Sequence, residues 1–236
     1  MLLINKLMQH FHGFKYRFDN VSINNNLYFM DDPRFQEIYS EAKLRLAFDP
    51  DIPLRVHQAL WCANNALSVE GDFIELGVGK GFIFYNILSH IGGLCDQKKI
   101  YLCDTFVAFK VDNNGRQLPQ NGVSKLYAPS FDVIENRFKA WPNVRLVEGV
   151  LPESLKALNR EINSISFLHV DLNHHRAEVD CLEYLWPKLS SGAFILLDDF
   201  GNPGREAQMK AHLDFFSGKQ QPILSLATGQ GLVIKR

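Results

Sequence analysis

The rhythm of apolar and polar positions changes near residue 70. Beyond it, short apolar runs alternate with longer amphipathic stretches. FIEL (73–76), IYLCD (100–104), VRLVEG (144–149), ISFLHVD (165–171) and AFILLDD (193–199) are near-continuous apolar runs closed by charged or glycine residues. That is the pattern of parallel strands buried on both faces. Between them, residues around 82–91, SFDVIENRFKAW, PESLKALNREI and AEVDCLEYLWPKL carry helical spacing. The alternation predicts a doubly wound, Rossmann-like α/β fold whose ligands bind beyond the carboxyl ends of the strands. The closing PILSLATGQGLVIKR reads as two strand-like runs about a Thr-Gly-Gln-Gly turn, which predicts a terminal antiparallel hairpin on a mostly parallel seven-stranded sheet.

The first seventy residues lack this alternation. FHGFKYRFDNVSINNNLYFM has no clear period. DDPRFQEIYSEAKLRL reads as a helix, with Asp32 before Pro33 at its start, and a second helix follows Pro53 in PLRVHQALWCANNALSV. Residues 1–70 are therefore expected to form a helical cap on a domain of residues 71–236, not a domain of their own. Between Asp104 and Phe131 runs a polar stretch with several Gly and Asn residues. It is long for a connection inside a compact domain, which marks residues 105–130 as a lid over the substrate.

Composition narrows the class. A chain of 236 residues, 46% hydrophobic, suffices for one packed domain with a modest appendage. A net charge of −1 supplies no broad basic field, so nucleic acid is not an expected partner. Cys62, Cys95, Cys103 and Cys181 show neither Cys-x-x-Cys nor His/Cys zinc spacing and read as reduced, buried thiols of a cytoplasmic protein. No run approaches the unbroken apolar length of a membrane span, and MLLINKLMQHFHGFKYRF lacks the apolar core and cleavage site of a signal peptide.

The stretch DFIELGVGKG places a glycine turn between the first sheet strand and a helix. A Walker-type phosphate loop fails here, because Lys80-Gly81 is in the wrong order and Phe82 offers no hydroxyl. Gly77, Gly79 and Gly81 match a dinucleotide fingerprint only in part, since its third glycine falls on Phe82. S-adenosylmethionine, which carries no phosphate, suits an E-x-G-x-G-x-G strand end; a tight structural turn would look the same. Asp104 closes the second strand, where a carboxylate accepts from ribose hydroxyls through bonds of roughly 1.5–3 kcal/mol each, or caps Thr105. Glu75, inside a buried strand, needs partners among backbone N–H groups or a ligand's amino group.

Asp171 ends one strand and Asp198 with Asp199 end what should be its neighbour. Three carboxylates at one edge repel unless a cation or a proton compensates them. Oxygen-only ligands suit Mg²⁺, with Mn²⁺ or Ca²⁺ as substitutes. Alternatively Asp198 and Asp199 cap the loop before Gly201. His174 and His175, just beyond Asp171, are candidate proton acceptors near neutral pH. His169, inside its strand, reads as structural, and His57 and His212 belong to no motif.

In order and spacing, DDPRF, GDFIELGVGKG, CDTF, FLHVDLNHHRAEVDCLEYLWPKLSSGAFILLDDFG and GREAQ resemble the macrocin O-methyltransferase family from about residue 30 onward. The resemblance implies a class I methyltransferase fold and an S-adenosylmethionine-dependent, Mg²⁺-assisted O-methyltransferase, as in relatives that methylate sugar hydroxyls of macrolide and aminocoumarin antibiotics. It implies that Asp171, Asp198 and Asp199 are metal ligands, that Asp171 is also the general base, and that the glycine loop and Asp104, with Glu75 and Thr105 beside them, line the donor site. His174 stands beside Asp171 as a second catalytic candidate. The acceptor would be a hydroxyl of a sugar or glycosylated small metabolite, and a homo-oligomer is compatible. The family's Asp-Gly-Asp-Leu-Tyr is replaced by Asp171-Leu172-Asn173-His174-His175. Three other readings stay open: a binder of S-adenosylmethionine or a sugar without turnover, an NAD-dependent oxidoreductase, and a catechol-type methyltransferase, which pairs Asp with Asn where this chain has Asp198-Asp199.

Overall fold

The computed structural model describes residues 14–107, 110–111, 117–118 and 129–236. It opens on a small hairpin, β1 (Tyr16–Phe18) antiparallel to β2 (Val21–Ile23). Asp19 and Asn20 turn it with φ of 56° and 58°, the left-handed pair that a two-residue hairpin loop demands and that Asp and Asn tolerate. The sequence pattern gives no hint of this hairpin, because strands this short leave no period. Helices α1 (Pro33–Leu46) and α2 (Pro53–Ala66) follow, each with proline in its first turn, and the Asp32 carboxylate caps α1 by accepting from the Arg34 amide at 2.9 Å.

The sheet strands are β3 (Asp72–Leu76), β4 (Ile100–Asp104), β7 (Val144–Glu148), β8 (Ile165–Val170), β9 (Leu189–Leu197), β10 (Leu224–Ser225) and β11 (Gly231–Ile234). Two-residue strands β5 (Lys110–Val111) and β6 (Gln117–Leu118) pair with each other inside the expected lid; the rest of that segment, apart from its two ends, lies outside the described residues. The main sheet runs β10-β11-β9-β8-β3-β4-β7, with β11 alone reversed, antiparallel to both β9 and β10, as the terminal hairpin predicts. β3 sits between β4 and β8, so strand order reverses there, the point at which folds of this class bind ligands beyond the strand ends.

Alternation along each strand divides the core. Phe73, Phe167 and Phe194 face one layer with α1, α2 and α3 (Phe82–Ile91), whereas Ile74, Leu168 and Ile195 face the other with α6 (His175–Leu185) and α7 (Glu206–Gly218). The described part of the N-terminal segment thus shares one core with the sheet. Helix α4 (Phe131–Phe138) lies where expected. The helix expected over PESLKALNREI shrinks to one turn, α5 (Glu153–Lys156), and the chain continues through tight turns such as Leu158 N–H to Leu155 O and Glu161 N–H to Leu158 O. Leu155, Leu158 and Ile162 are buried all the same, so the apolar spacing is satisfied without a continuous helix. Helix α7 was not foreseen. All four cysteines are buried and free. Among the described residues no helix is long and apolar enough to cross a membrane.

Candidate active site

The glycine turn is shaped first by the protein itself. Gly77 has φ of 87°, and a Cβ there would lie 1.9 Å from the Asp171 carbonyl oxygen, so only glycine lets the ends of β3 and β8 come this close. At Gly81, φ is 75° and a Cβ would meet the Phe138 ring at 2.7 Å. The amides of Val78 and Gly79 both donate to Asp104 Oδ2, at 2.8 and 2.9 Å. Asp104 Oδ1 accepts from the Phe106 amide at 3.1 Å and lies 3.2 Å from the Thr105 hydroxyl, which has a second acceptor in the Val107 carbonyl at 3.0 Å. The carboxylate expected at the ribose therefore also clamps the loop, and the loop's anion-binding position is filled by the chain's own carboxylate.

A buried polar chain runs from Glu75 across the cap-side face of the sheet. Glu75 and His169 are register partners on β3 and β8, and Glu75 Oε1 lies 3.0 Å from His169 Nδ1. His169 Nε2 lies 3.6 Å from Asp198 Oδ1, an ion-pair separation rather than a hydrogen bond. Burial raises Glu75 to about 7, His169 working against it. Burial alone would lower His169, but the Asp198 and Glu75 carboxylates outweigh it and hold the imidazolium up to about 10. Glu75, 2% exposed, is thus the partner of His169 within the sheet, and the structure does not bring it to the surface of the crevice.

Arg55, on α2, completes the chain. Its Nη1 donates to Asp198 Oδ2 at 2.5 Å, its Nε to Asp19 Oδ1 at 2.8 Å, and its Nη2 to Asn202 Oδ1 and the Thr228 carbonyl at 3.2 and 3.1 Å. Gln230 Nε2 donates to Asp198 Oδ1 at 2.8 Å. Although burial opposes ionisation of Asp198, His169 and Arg55 overcome it and hold the carboxyl down at about 2. Sequence reasoning passed over Arg55. Its signal was there: Arg55 stands four and eight positions before Ala59 and Ala63, on the apolar stripe of an otherwise buried helix face.

Asp171 and Asp199 reach the same edge, since the Asp198 amide donates to the Val170 carbonyl at 2.9 Å and the Asp171 amide to that of Leu76 at 2.8 Å. Burial, then the charges of Asp198 and Asp199, push the Asp171 carboxyl well above the usual carboxylate range, against the pull of His169. Asn173, in the left-handed region with φ of 58°, donates its side-chain amide to Asp171 Oδ1 at 3.0 Å and accepts from Arg205. Arg205 Nε also lies 3.6 Å from Asp199 Oδ2, and Asn202 Nδ2 donates to Asp199 Oδ1 at 2.5 Å. The loop is held from below by Glu178 Oε1, which accepts from the amides of Leu172 and Asn173 at 3.0 and 3.1 Å while Glu178 Oε2 meets His212 at 2.9 Å. His174 Nδ1 accepts from the Ala177 amide at 3.3 Å as the N-cap of α6, which leaves its Nε2 as the nitrogen not engaged by the helix.

The three carboxylates converge as the strand order predicts, yet their arrangement does not fit a shared divalent ion. Mg²⁺ needs near-octahedral oxygens at about 2.0–2.1 Å. Both Asp198 oxygens are taken by Arg55 and Gln230, and Asp199 Oδ1 by Asn202. Arg55 Nη1 stands 2.5 Å from Asp198 Oδ2 and 3.7 Å from Asp199 Oδ1, between the two carboxylates that would have to bridge to a metal. Among the described residues no group of three or more His, Cys, Asp or Glu is arranged to hold a metal ion.

Comparison with known proteins matches residues 55–222 to the family model described as macrocin-O-methyltransferase (TylF). A curated relative, the 8-demethyl-8-(2,3-dimethoxy-alpha-L-rhamnosyl)-tetracenomycin-C 4'-O-methyltransferase of Streptomyces olivaceus, is 24% identical over 162 residues. That match covers 62% of this chain and spans 60% of the relative's length. Among solved structures, the O-methyltransferase NovP is 18% identical with a TM-score of 0.63, covering 79% of this chain and 81% of its own. CalS11, the calicheamicin methyltransferase, is 20% identical with a TM-score of 0.60, covering 86% and 93%. An O-methyltransferase from Bacillus cereus in complex with SAH is 12% identical with a TM-score of 0.54, covering 86% and 91%. These likenesses establish the class I methyltransferase fold.

Proposed function

The chain belongs to the macrocin O-methyltransferase family, and from that premise we propose that it transfers the methyl group of S-adenosylmethionine to a hydroxyl of a sugar or glycosylated small metabolite. The observation that carries this reading is the contact between the glycine loop and Asp104. The Val78 and Gly79 amides are spent on Asp104 Oδ2 and cannot cradle a pyrophosphate, which argues against a dinucleotide. The Asp104 carboxylate beside the glycine loop suits a donor that is cationic at sulfur and at its amino group.

S-adenosylmethionine supplies an electrophilic methyl group on a sulfonium. The chain's part is to hold it against the acceptor and to manage one proton. Gly77 and Gly79 keep side chains out of the crevice floor, and Asp104 offers Oδ1 to the ribose once the Thr105 hydroxyl turns to the Val107 carbonyl. Asp171 Oδ1 is engaged by Asn173, which leaves Oδ2 to accept the acceptor's proton. Alignment of acceptor oxygen, methyl and sulfur supplies the remainder, for which well-oriented groups contribute roughly 7–11 kcal/mol.

The test is transfer of isotopically labelled methyl from S-adenosylmethionine across a panel of free, nucleotide-linked and natural-product-linked sugars. Labelled product on a hydroxyl is the expected result. Donor binding with no product on any acceptor would favour a silent binder of the same fold.

A further inference from the structure

The carboxylate cluster carries its own cations. We propose that Arg55 is a built-in cation standing where a divalent ion would bridge Asp198 and Asp199, so that the cluster does its work without a bound metal. The Arg55 side chain is 9% exposed, and each of its nitrogens has an acceptor among Asp19, Asp198, Asn202 and Thr228. It is anchored twice to the hairpin turn, because its backbone amide also donates to Asp19 Oδ2 at 3.0 Å. A guanidinium fixed on both sides does not swing away to admit an ion. A divalent ion placed beside it would meet a like charge at contact distance and would have to strip Gln230 from Asp198 and Asn202 from Asp199.

A second observation points the same way. Asn173 donates to Asp171 Oδ1 and accepts from Arg205, which also approaches Asp199 Oδ2 at 3.6 Å. An aspartate at this position could not donate to Asp171 and would add one more negative charge. Every carboxylate of the cluster therefore has a donor supplied by the protein. Arg55 acts through Asp198, to which its Nη1 donates, and is a positioning residue. One consequence concerns specificity, and it rests on the methyltransferase reading. With no ion to chelate two neighbouring hydroxyls, the acceptor need not be a vicinal diol.

The experiment is titration of Mn²⁺ into the full chain, followed by the electron paramagnetic resonance of free Mn²⁺, with S-adenosylhomocysteine binding measured by calorimetry on the same preparation. Wild type should show no saturable Mn²⁺ binding. Arg55→Gln should gain a site, and Arg55→Gln combined with Asp198→Asn should lose it again. If Arg55→Gln does not fold, the wild-type titration still decides. Saturable Mn²⁺ binding to wild type that Asp198→Asn abolishes would overturn the proposal. That result alongside intact nucleoside binding would sink only the built-in cation, whereas absence of nucleoside binding would sink the methyltransferase reading.

Discussion

Arg55 Nη1 and Asp198 Oδ2, separated by 143 positions in sequence, meet at 2.5 Å and tie the N-terminal helices to the strand end on which the crevice is built. Removing one partner of a buried, hydrogen-bonded ion pair leaves the other charge stranded, which costs about 3–5 kcal/mol. Arg55→Met should lower the free energy of unfolding by that amount in urea titrations. Arg55→Lys should recover little, because a point charge cannot serve Asp19, Asp198 and Thr228 together. A loss below about 1 kcal/mol, the scale of an exposed pair, would show that the contact does not form as described.

Gly77→Ala should be more damaging than its single methyl suggests. The added Cβ would lie 1.9 Å from the Asp171 carbonyl, with backbone on both sides of the clash. Overpacking and a left-handed alanine together cost at least about 2 kcal/mol. Denaturation midpoints and S-adenosylhomocysteine affinity should both fall, the second because the ends of β3 and β8 move apart.

Stability should depend on pH through the Glu75–His169 pair. Both groups hold their proton more tightly when folded, Glu75 shifting from 4.5 to about 7 and His169 from 6.5 to about 10. A raised folded pKa gives stability that is complete below the unfolded value and lost as pH rises through the folded one. The Glu75 contribution therefore fades between 4.5 and about 7, and that of His169 between 6.5 and about 10. Asp198, lowered from 3.8 to about 2, acts in the opposite sense: its contribution is present above 3.8 and lost as pH falls through about 2. Urea midpoints measured against pH should decline along the alkaline limb, and His169→Gln should flatten that limb.

Much of this was legible in the sequence. Long apolar runs named the parallel strands, and the glycines, Asp104 and the carboxylates at the ends of β8 and β9 fell where parallel strands must deliver them. What stayed hidden depends on contacts between distant segments. Period and composition cannot show that Arg55 reaches Asp198, that His169 sits opposite Glu75, or that Glu178 supports the loop after Asp171, because each is a property of strand register and helix docking. The sequence did state that three converging carboxylates need compensation. It could not say that the compensating charge arrives from α2. The replacement of the family's second aspartate by Asn173 was visible, but its sense emerges only when Asp171 and Arg205 are seen on either side of it.

Asp171→Asn separates chemistry from binding. The amide keeps the shape of the crevice and cannot accept a proton. Loss of a general base typically costs 10²–10⁴-fold, so kcat should fall by about that factor while S-adenosylhomocysteine affinity stays near that of wild type. Equal loss of both would mean that Asp171 holds the donor.

The most direct measurement is calorimetric titration of wild type with S-adenosylhomocysteine, with NAD⁺ titrated in parallel and Asp104→Asn as the control. The Asp104 carboxylate gathers the Val78 and Gly79 amides, so the expected result is saturable nucleoside binding, weakened in Asp104→Asn, and no heat from NAD⁺. Saturable NAD⁺ binding with no response to S-adenosylhomocysteine would contradict the assignment of this crevice to a methyl donor.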